Sequence, residues 1–458
     1  MLAANVDVFG DDTLSFSNQV ALLASAGVAA MVGKIRLVDF EQMIATAAHH
    51  VQQAIPAIIL LLLIGSLAAS WLISGIIPAM IYYGLKLLHP DYFLLSACVI
   101  CAMVSLATGS SWGTIATVGI ALIGIGSAMG YHEGLCAGAI ISGAYFGDKM
   151  SPLSDTTNLA PAVAGAELFS HIRYMTITTF PTFAITLAVF TIWGLSAEVN
   201  VEAHSLQSVP QALVNIFHVS PWLFIVPVAV AGMIVLKIPA LVVMGVGVVA
   251  GIATAYFVEP DLVNSIQQGQ MHVNDYGFIM TVLGTGVSIP VDDPILSELL
   301  SSGGMKSMLD TVWLILCAMI FGGMMDKSGC LDSITRQLLK LAKTRTSLFG
   351  TTALSAIFMN LTASDQYLAI VVPGRMYQKA FKENNLAPEN LSRTLEDAGT
   401  VTSVLIPWNT CGATQSTVLG VATAVYWPYC IFCLLSPLST MVVALLGIKI
   451  KTRTNNTQ

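Results

Sequence analysis

The sequence predicts an all-α polytopic membrane protein with inverted-topology repeats, each containing a re-entrant hairpin and a discontinuous transmembrane helix. Hydrophobic residues make up 55% of the 458 positions and charged residues only 10%, with a mean hydropathy of +0.77. A soluble protein needs a more polar surface, so this composition places the chain in a bilayer. Two polar stretches, 107–158 and 361–414, interrupt apolar sequence and match each other about 255 residues apart. This duplication predicts the two repeats.

Uninterrupted apolar runs predict the simple membrane spans, because about 20 apolar residues are needed to cross the hydrocarbon core as a helix. The predicted spans are 16–33, 55–84, 174–195, 217–236, 239–257, 308–325 and 428–448.

Four further apolar segments contain internal breaks. They are 93–129 with a break at 108–113, 135–164 with a break at 148–158, 347–381 with a break at 362–366, and 395–427 with a break at 407–412. In the first and third, each arm is too short to span, which predicts a re-entrant hairpin with a polar tip. The second and fourth are predicted to be broken helices.

Basic residues predict the orientation, since cytoplasmic connections are enriched in Lys and Arg. The connections 196–216 and 258–305 contain neither, so both are placed outside. The residues that mark inside segments are Lys34, Arg36, Lys327, Arg336, Lys340, Lys343, Arg345, Arg375, Lys379, Lys382, Arg393, Lys449, Lys451 and Arg453. The two halves are then antiparallel, and one hairpin enters from each side of the membrane.

This threading predicts the domain organisation. Residues 1–195 form the first repeat, 196–216 an extracellular connection, 217–450 the second repeat with an extracellular loop at 258–305, and 451–458 a cytoplasmic tail. The second repeat begins with two leading helices and the first with one. Residues 1–9 are therefore interpreted as the stub of a further helix.

Acidic residues beside the breaks are the strongest candidates for chemistry, because carboxylates at bilayer depth are costly and mark ion pathways. A buried carboxylate favours its protonated form and a bound cation favours the ionised form, so a proton and a cation compete for one site. Asp155 and Asp365 are the first candidates. An internal ion pair with Lys149 is an alternative role for Asp148. Glu396 is expected to be solvated or paired.

Hydroxyl, amide and carbonyl oxygens around these carboxylates suit a hard monovalent cation. We hypothesise Na⁺ at Asp155, Asp365 and Asn409. The full set of cation- or proton-binding candidates is Asp155, Asp365, Asp148, Ser110, Ser111, Thr108, Ser154, Thr156, Asn158, Thr362, Ser364, Asn409 and Thr410. The alternative for each hydroxyl is helix packing or bonding to its own backbone. We expect no catalytic residue, no cofactor other than the transported ions, and no nucleic-acid partner.

Three blocks resemble the NhaC sodium/proton antiporter family: SLATGSSWGT at 105–114, GAYFGDKMSPLSDTTNLAP at 143–161, and EDAGT at 396–400 with PWNT at 407–410. The resemblance covers nearly the whole chain. It implies a multi-pass secondary carrier of the bacterial inner membrane that exchanges Na⁺ for H⁺, with paired hairpins and a homodimeric assembly. Because the family includes carriers of organic solutes, a Na⁺-coupled transporter or exchanger of a small organic acid or amino acid is the alternative.

Overall fold

The computed structural model describes residues 16–197, 205–236, 238–271, 273–291 and 294–452. The predicted stub at 1–9 lies outside these residues. Within them the helices are joined by turns and short loops, and the extended structure consists of one isolated bridge between Leu386 and Thr452 and a two-stranded ribbon in which β1 (Val287–Ser288) pairs antiparallel with β2 (Ser301–Ser302). The ribbon lies in the connection predicted to be extracellular.

The first half consists of helices joined by short turns. In chain order they are α1 (Ser17–Ile35), α2 (Phe40–Ile73), α3 (Ile76–Leu87), α4 (Phe93–Thr108), α5 (Ser111–Thr114), α6 (Ile120–Ala128), α7 (Glu133–Met150), α8 (Asp155–Ala164) and α9 (Leu168–Ser196). A 3-10 turn (Pro90–Tyr92) precedes α4, and a π turn (Ile115–Gly119) joins α5 to α6.

The second half continues with the following helices. They are α10 (Ser205–Ile216), α11 (Ile225–Val235), α12 (Ala240–Val258), α13 (Pro260–Ile266), α14 (Asp275–Thr285), α15 (Pro294–Leu299), α16 (Leu309–Lys327), α17 (Cys330–Leu339), α18 (Arg345–Thr362), α19 (Gln366–Glu383), α20 (Pro388–Leu395), α21 (Thr410–Leu419), α22 (Thr423–Tyr426) and α23 (Ile431–Leu446). A π turn (Glu396–Thr400) and a 3-10 turn (Ser403–Leu405) lie between α20 and α21. Further short turns are Pro221–Phe224, Gln267–Met271, Gly304–Met308 and Trp427–Tyr429.

Seven helices in the described part of the chain are long and apolar enough to cross a membrane, or nine if two bent helix pairs each count as one span. The four interrupted segments are broken near the predicted positions. Hairpin A (93–128) and hairpin B (345–383) each change helix at a polar tip, and broken helix A (133–164) and broken helix B (388–419) each unwind near the middle. Both arms of hairpin A are among the seven helices long enough to cross, so the prediction that each is too short to span is wrong. The predicted fold class is confirmed: the chain is a multi-pass, all-α membrane protein.

The run 55–84 differs from its prediction as one span. Helix α2 begins earlier, at Phe40, where the Asp39 carboxylate accepts a hydrogen bond from the Glu41 N–H. It ends before Gly75, whose φ of 75° is left-handed and separates it from α3. The segment that begins at Phe40 contains polar residues, but its Met43 and Ala47 side chains are buried against α1 and α16. The polar residues interrupt the apolar run, so the sequence pattern does not reveal this first part of α2.

Hairpin A packs so closely against broken helix A that the backbones of α4 and α7 are in contact. A Cβ atom at Gly143 would lie 2.0 Å from the carbonyl oxygen of Cys98, and one at Gly147 would lie 2.3 Å from that of Ala102. Helices approach this closely in membranes only where small residues line the contact. The glycines of α7 thus fix the position of the tip of hairpin A.

Replacing Gly143 by alanine should destabilise the protein by about 1–3 kcal/mol, the usual cost of forcing an extra carbon into a packed contact. The matched control is Gly245→Ala in α12, where an added Cβ meets nothing within 4 Å. The thermal unfolding midpoint in detergent measures both. Equal midpoints for the two variants would show that α4 and α7 can separate without cost.

Each half of the chain packs part of its hairpin against the broken helix of the other half. The π turn in the second arm of hairpin A packs against α21 of broken helix B, and α19 of hairpin B packs against α8 of broken helix A. Each hairpin therefore rests on the broken helix of the other half. This reciprocal contact is what an inverted repeat requires if its two unwound regions are to face each other.

The last described residues hold the start of broken helix B. The Lys451 carbonyl accepts hydrogen bonds from the Ala387 N–H at 2.9 Å and from Asn390 Nδ2 at 2.7 Å, and the Lys451 ammonium pairs with Glu389. Burial works to raise the pKa of Glu389, but hydrogen bonds from Lys451 and Ser170 outweigh it, so this pKa lies below its ordinary value. The stabilisation by this pair is therefore present at neutral pH and lost as the pH falls through the lowered pKa.

Candidate cation-binding site

The tip of hairpin A lies against the break in broken helix A. Helix α4 ends at Thr108, Gly109 has a left-handed φ of 69°, and Ser110 caps α5 by accepting a hydrogen bond from the Gly113 N–H at 3.0 Å. A Cβ at Gly109 would lie 2.5 Å from the Leu153 Cβ. The Thr108 hydroxyl lies 3.5 Å from the Ser105 carbonyl oxygen of its own helix and 3.5 Å from the Thr114 hydroxyl on the other side of the tip.

Asp148 connects these two elements. Its buried carboxylate accepts hydrogen bonds from the Ser111 hydroxyl at 2.6 Å and from the Ser111 N–H at 3.2 Å. Hydrogen bonds to an ionised carboxylate are among the stronger ones. The acidic residue of broken helix A therefore holds the tip of hairpin A in place.

The break in broken helix A is closed by local hydrogen bonds. Ser154 caps α8 by accepting from the Thr157 N–H at 3.4 Å, and its hydroxyl lies 3.2 Å from that of Thr156. Asn158 Nδ2 donates to the Ser154 carbonyl at 2.7 Å. Asp155, the first residue of α8, is exposed. Its carboxylate is therefore accessible to water and ions.

The tip of hairpin B is organised in the same way. Ser364 has a φ of 59°, rare for a residue with a side chain, and its carbonyl accepts a hydrogen bond from the Thr410 N–H at 3.0 Å. Asp365 caps α19 and accepts from the Leu368 N–H at 3.0 Å. The Thr362 hydroxyl donates to a carbonyl one turn earlier in α18. The tip and the break of the second half are thus directly bonded.

Asn409 caps α21, with its Oδ1 accepting from the Cys411 N–H at 3.0 Å. Its Nδ2 donates to the Asn360 backbone carbonyl and side-chain oxygen, both at 3.2 Å, and Asn360 donates in turn to the Gly399 carbonyl at 2.6 Å. The Thr410 hydroxyl lies 3.5 Å from the Asn409 Oδ1. These amides tie hairpin B to broken helix B.

Three polar side chains beside this tip and break have unused hydrogen-bonding capacity. The Ser364 Oγ, the Thr414 Oγ1 and both amide atoms of Gln415 are buried without a hydrogen-bond partner among the residues described. Thr414 lies one turn beyond Thr410 on the same face of α21. Buried polar atoms are normally satisfied. Free oxygens next to unwound backbone are the donor set that a hard monovalent cation takes.

The clusters of the two halves come together. Cys411 of broken helix B lies within interaction distance of Trp112 at the tip of hairpin A. Tyr367 of hairpin B lies within electrostatic range of Asp155, Asp148 and Asp365. The structure therefore places the predicted carboxylates of both repeats around one region.

Lys149 does not form the internal ion pair considered for Asp148. Its ammonium pairs with Asp397 of broken helix B and donates to the Ser436 hydroxyl at 3.0 Å, with Lys149 and Asp397 both fully buried. Successive residues of a helix lie about 100° apart around its axis. Asp148 therefore faces hairpin A while Lys149 faces the other half.

Two further charged side chains are buried. Arg393, predicted to mark an inside segment, has no exposed surface, with its guanidinium 4.7 Å from the centre of the Tyr174 ring and its Nε 3.9 Å from Asp397. Glu396, expected to be solvated or paired, is fully buried and makes no hydrogen bond of normal geometry within the described residues. The π turn that begins at Glu396 places its side chain inside the helix bundle.

The sequence analysis also missed two amide side chains. Asn360 joins hairpin B to its broken helix, and the Gln366 Oε1 accepts from the Cys411 Sγ at 2.9 Å and from the Ser403 hydroxyl at 3.3 Å. An amide in the arm of an apolar hairpin needs a buried partner, which is the signal for Asn360. Gln366 lies within the predicted tip at 362–366, where the carboxylate and hydroxyls alone are the predicted candidates.

Comparison with known proteins gives a consistent set of relatives. The model of the Na⁺/H⁺ antiporter family matches residues 143–448. The Na⁺/H⁺ antiporter NhaC of Alkalihalophilus pseudofirmus is 35% identical over 435 residues, which cover 95% of this chain and 91% of that protein. NhaC of Bacillus subtilis is 35% identical, covering 86% and 84%. The malate-2H⁺/Na⁺-lactate antiporter of Bacillus subtilis is 33% identical, covering 90% and 85%.

Proposed function

Because this chain belongs to the Na⁺/H⁺ antiporter family, we propose that it exchanges Na⁺ for H⁺ across the bacterial inner membrane. The NhaC resemblance predicted from the 143–161 run is confirmed by relatives of that name. The family consists of secondary transporters, so the chain is not an enzyme. The ions are its cargo.

The observation that carries the proposal is the convergence of carboxylates from both repeats beside buried, unpartnered oxygens. Asp155 and Asp365 both act electrostatically on Tyr367, and the Ser364 Oγ and Thr414 Oγ1 have no hydrogen-bond partner among the described residues. We place Na⁺ among these groups, with the Asn409 side-chain oxygen at the edge of the site. Two half-sites that each unwind at the bilayer centre are the arrangement that alternating access uses.

Exchange follows from competition at the carboxylates. A bound cation favours the ionised form, and a proton removes the charge that attracts the cation. The carboxylates therefore bind Na⁺ or H⁺ in turn. When a Na⁺-loaded site opens to one side and a protonated site opens to the other, the two ions move in opposite directions.

Asp155→Asn tests this proposal in purified protein reconstituted into liposomes. Asparagine is tolerated at an exposed first helical residue, so folding should be retained. We expect Na⁺-driven proton movement to fall to less than about a tenth of wild type, because the charge that attracts the cation is removed. Asp332→Asn on α17, which removes an exposed carboxylate, is the matched control. Wild-type exchange in the Asp155 variant would exclude this residue from the site.

An organic solute is the second candidate cargo, because one relative is named as a malate-2H⁺/Na⁺-lactate antiporter and another as an arginine/ornithine antiporter. The same liposomes distinguish the two functions. If a Na⁺ gradient alone changes the internal pH, the cargo is Na⁺ and H⁺. If the change requires an added dicarboxylate, hydroxy acid or basic amino acid, the organic exchange is favoured.

A further inference from the structure

A second cluster of charged side chains is buried where the two broken helices pack together, outside the predicted cation site. Lys149 comes from α7, Arg393 from α20, and Glu396 and Asp397 from the π turn that follows α20. None of the four has measurable exposure. Four ionisable groups in one dry region are costly unless they are paired or serve a function.

Asp397 is the fully satisfied member of this cluster. Its carboxylate accepts hydrogen bonds from the Lys149 ammonium, from Thr440, from Ser436 at 3.2 Å and from Thr178 at 3.3 Å. These donors come from α7, α9 and α23. Such a set stabilises the ionised carboxylate.

Glu396, the adjacent residue, has the opposite environment. Both of its carboxyl oxygens are buried, and neither makes a hydrogen bond of normal geometry in the part of the chain that the structure describes; the Thr400 hydroxyl of the same turn is the one donor that acts on it. An ionised carboxylate taken out of water without a donor carries a large desolvation cost. Burial therefore favours a neutral, protonated Glu396.

The surrounding charges act in the other direction. Lys149 and Arg393 carry two positive charges, and Asp397 is the one carboxylate among the described residues that forms an ion pair with them. The cluster then has a net charge of +1 when Glu396 is protonated and zero when it is ionised. Because desolvation and the uncompensated cation oppose each other, neither form of Glu396 is excluded.

From this geometry we infer that Glu396 is a proton-binding site, separate from the cation-binding oxygens, which takes up and releases the exchanged proton. The inference rests on the proposed Na⁺/H⁺ exchange. The step moves one proton between a Glu396 carboxyl oxygen and water and forms no covalent bond. The π turn is consistent with the assignment, since such turns are frequent at functional sites.

The charged groups around Glu396 are Lys149 and Asp148 from broken helix A, Arg393 one turn earlier in α20, and Asp397 from its own turn. Among the other elements packed against the turn, α23 has no charged residue and α18 has only Arg345 at its first position. The remaining charged residues are Glu389 of α20, which pairs with Lys451, and the exposed Asp155 of α8 and Arg375, Lys379, Lys382 and Glu383 of α19. His171 on α9 is also near Lys149 and Asp397.

Asp148 provides the link to the cation site. Asp148 is adjacent to Lys149 in the sequence, and its carboxylate acts electrostatically on Glu396. A proton on Glu396 adds positive charge to the region and disfavours Na⁺ near Asp148. Release of the proton removes that charge and favours Na⁺. Glu396 thereby couples the binding of the two ions at a second position, in addition to their competition at the carboxylates of the cation site.

The test compares Glu396→Gln with Glu383→Gln, which removes an exposed carboxylate of α19 paired only with Lys379 at 3.7 Å. In liposomes, Glu396→Gln should lose Na⁺-driven proton movement but retain exchange of labelled Na⁺ for unlabelled Na⁺, whereas Glu383→Gln keeps both. Glu396→Asp, which keeps a carboxyl, should retain proton movement with a displaced pH profile. A purely structural glutamate would lower both kinds of exchange together.

Infrared difference spectra provide a readout that does not need transport. Between about pH 6 and pH 9, exposed carboxylates are fully ionised. A protonated-carboxyl band that changes in this range should appear in wild type and in Glu383→Gln and be absent from Glu396→Gln.

The possible outcomes separate the two hypotheses. Glu396→Gln with wild-type exchange and an unchanged pH profile would overturn the assignment and leave Na⁺/H⁺ exchange standing, and so would loss of both kinds of exchange together. A wild-type protein that shows the Glu396 band but moves no Na⁺ would overturn the proposed function and retain the proton site.

Discussion

Replacing Asp365 by asparagine is expected to abolish Na⁺-driven proton movement while leaving the unfolding midpoint close to that of wild type. Asp365 has two roles that this substitution separates. Its side chain caps α19 through the Leu368 N–H, and asparagine caps a helix as well as aspartate does. Its negative charge lies beside the proposed cation, and asparagine removes it. We expect Na⁺ affinity to fall about 100-fold, or about 3 kcal/mol.

Two further substitutions at the same position control for the cap. Asp365→Ser keeps a capping oxygen without charge and should match the asparagine variant in both stability and inactivity. Asp365→Ala loses the cap as well and should be less stable by about 1 kcal/mol. Na⁺ titration of the purified variants, followed calorimetrically, measures the affinity. Full Na⁺ affinity in Asp365→Asn would restrict Asp365 to its capping role.

Asp397→Asn should produce the largest loss of stability, about 3–5 kcal/mol, since removing one partner of a buried ion pair leaves the other charge uncompensated. Here two cations, Lys149 and Arg393, would remain in a fully buried region. The unfolding midpoint in detergent should fall sharply. Combining Asp397→Asn with Lys149→Gln should recover part of the loss, because one of the stranded charges is then gone.

The exposed pair between Arg336 and Asp332 on α17 is the comparison, at 3.8 Å and in the same four-residue spacing as Arg393 and Asp397. Asp332→Asn should cost less than about 0.5 kcal/mol, as exposed pairs generally do. If Asp397→Asn cost no more than this, the hydroxyls of Ser436 and Thr440 would be sufficient to hold Lys149.

The hairpins and broken helices could be predicted because a lipid environment allows backbone to unwind only where protein groups satisfy it. A polar cluster inside an apolar run therefore marks an interruption. The tip predicted at 108–113 contains the break between Thr108 and Ser111, and the tip predicted at 362–366 contains Ser364 with its left-handed backbone.

The early start of α2 and the partner of Lys149 could not be predicted in this way. The segment before residue 55 carries polar residues on one face, so its mean hydropathy hides a helix that packs through the other face. Lys149 and Asp397 are 248 residues apart, and only the packing of the two broken helices brings them together. Their sequence neighbours, Asp148 and Glu396, suggested other pairings.

For the site itself, the sequence indicates which residues gather but not what each one does. Ser154, Asp365 and Asn409 all cap helices, and Ser111 holds Asp148. The same oxygen can cap a helix or bind a cation, and residue type alone does not distinguish these roles. The free hydroxyls of Ser364 and Thr414 are recognised only from their lack of partners in three dimensions.

The ion pair between Lys149 and Asp397 also has an electrical consequence. Moving one elementary charge through a potential of about 100 mV involves about 2.3 kcal/mol. The two members of this pair carry opposite charges and lie side by side, so a joint displacement of these two side chains does no net work against the membrane voltage. The pair thus allows the interior to keep a lysine without making its movement sensitive to the potential. Voltage then acts on the ions carried and on the positive charge of Arg393, which is balanced when Glu396 is ionised.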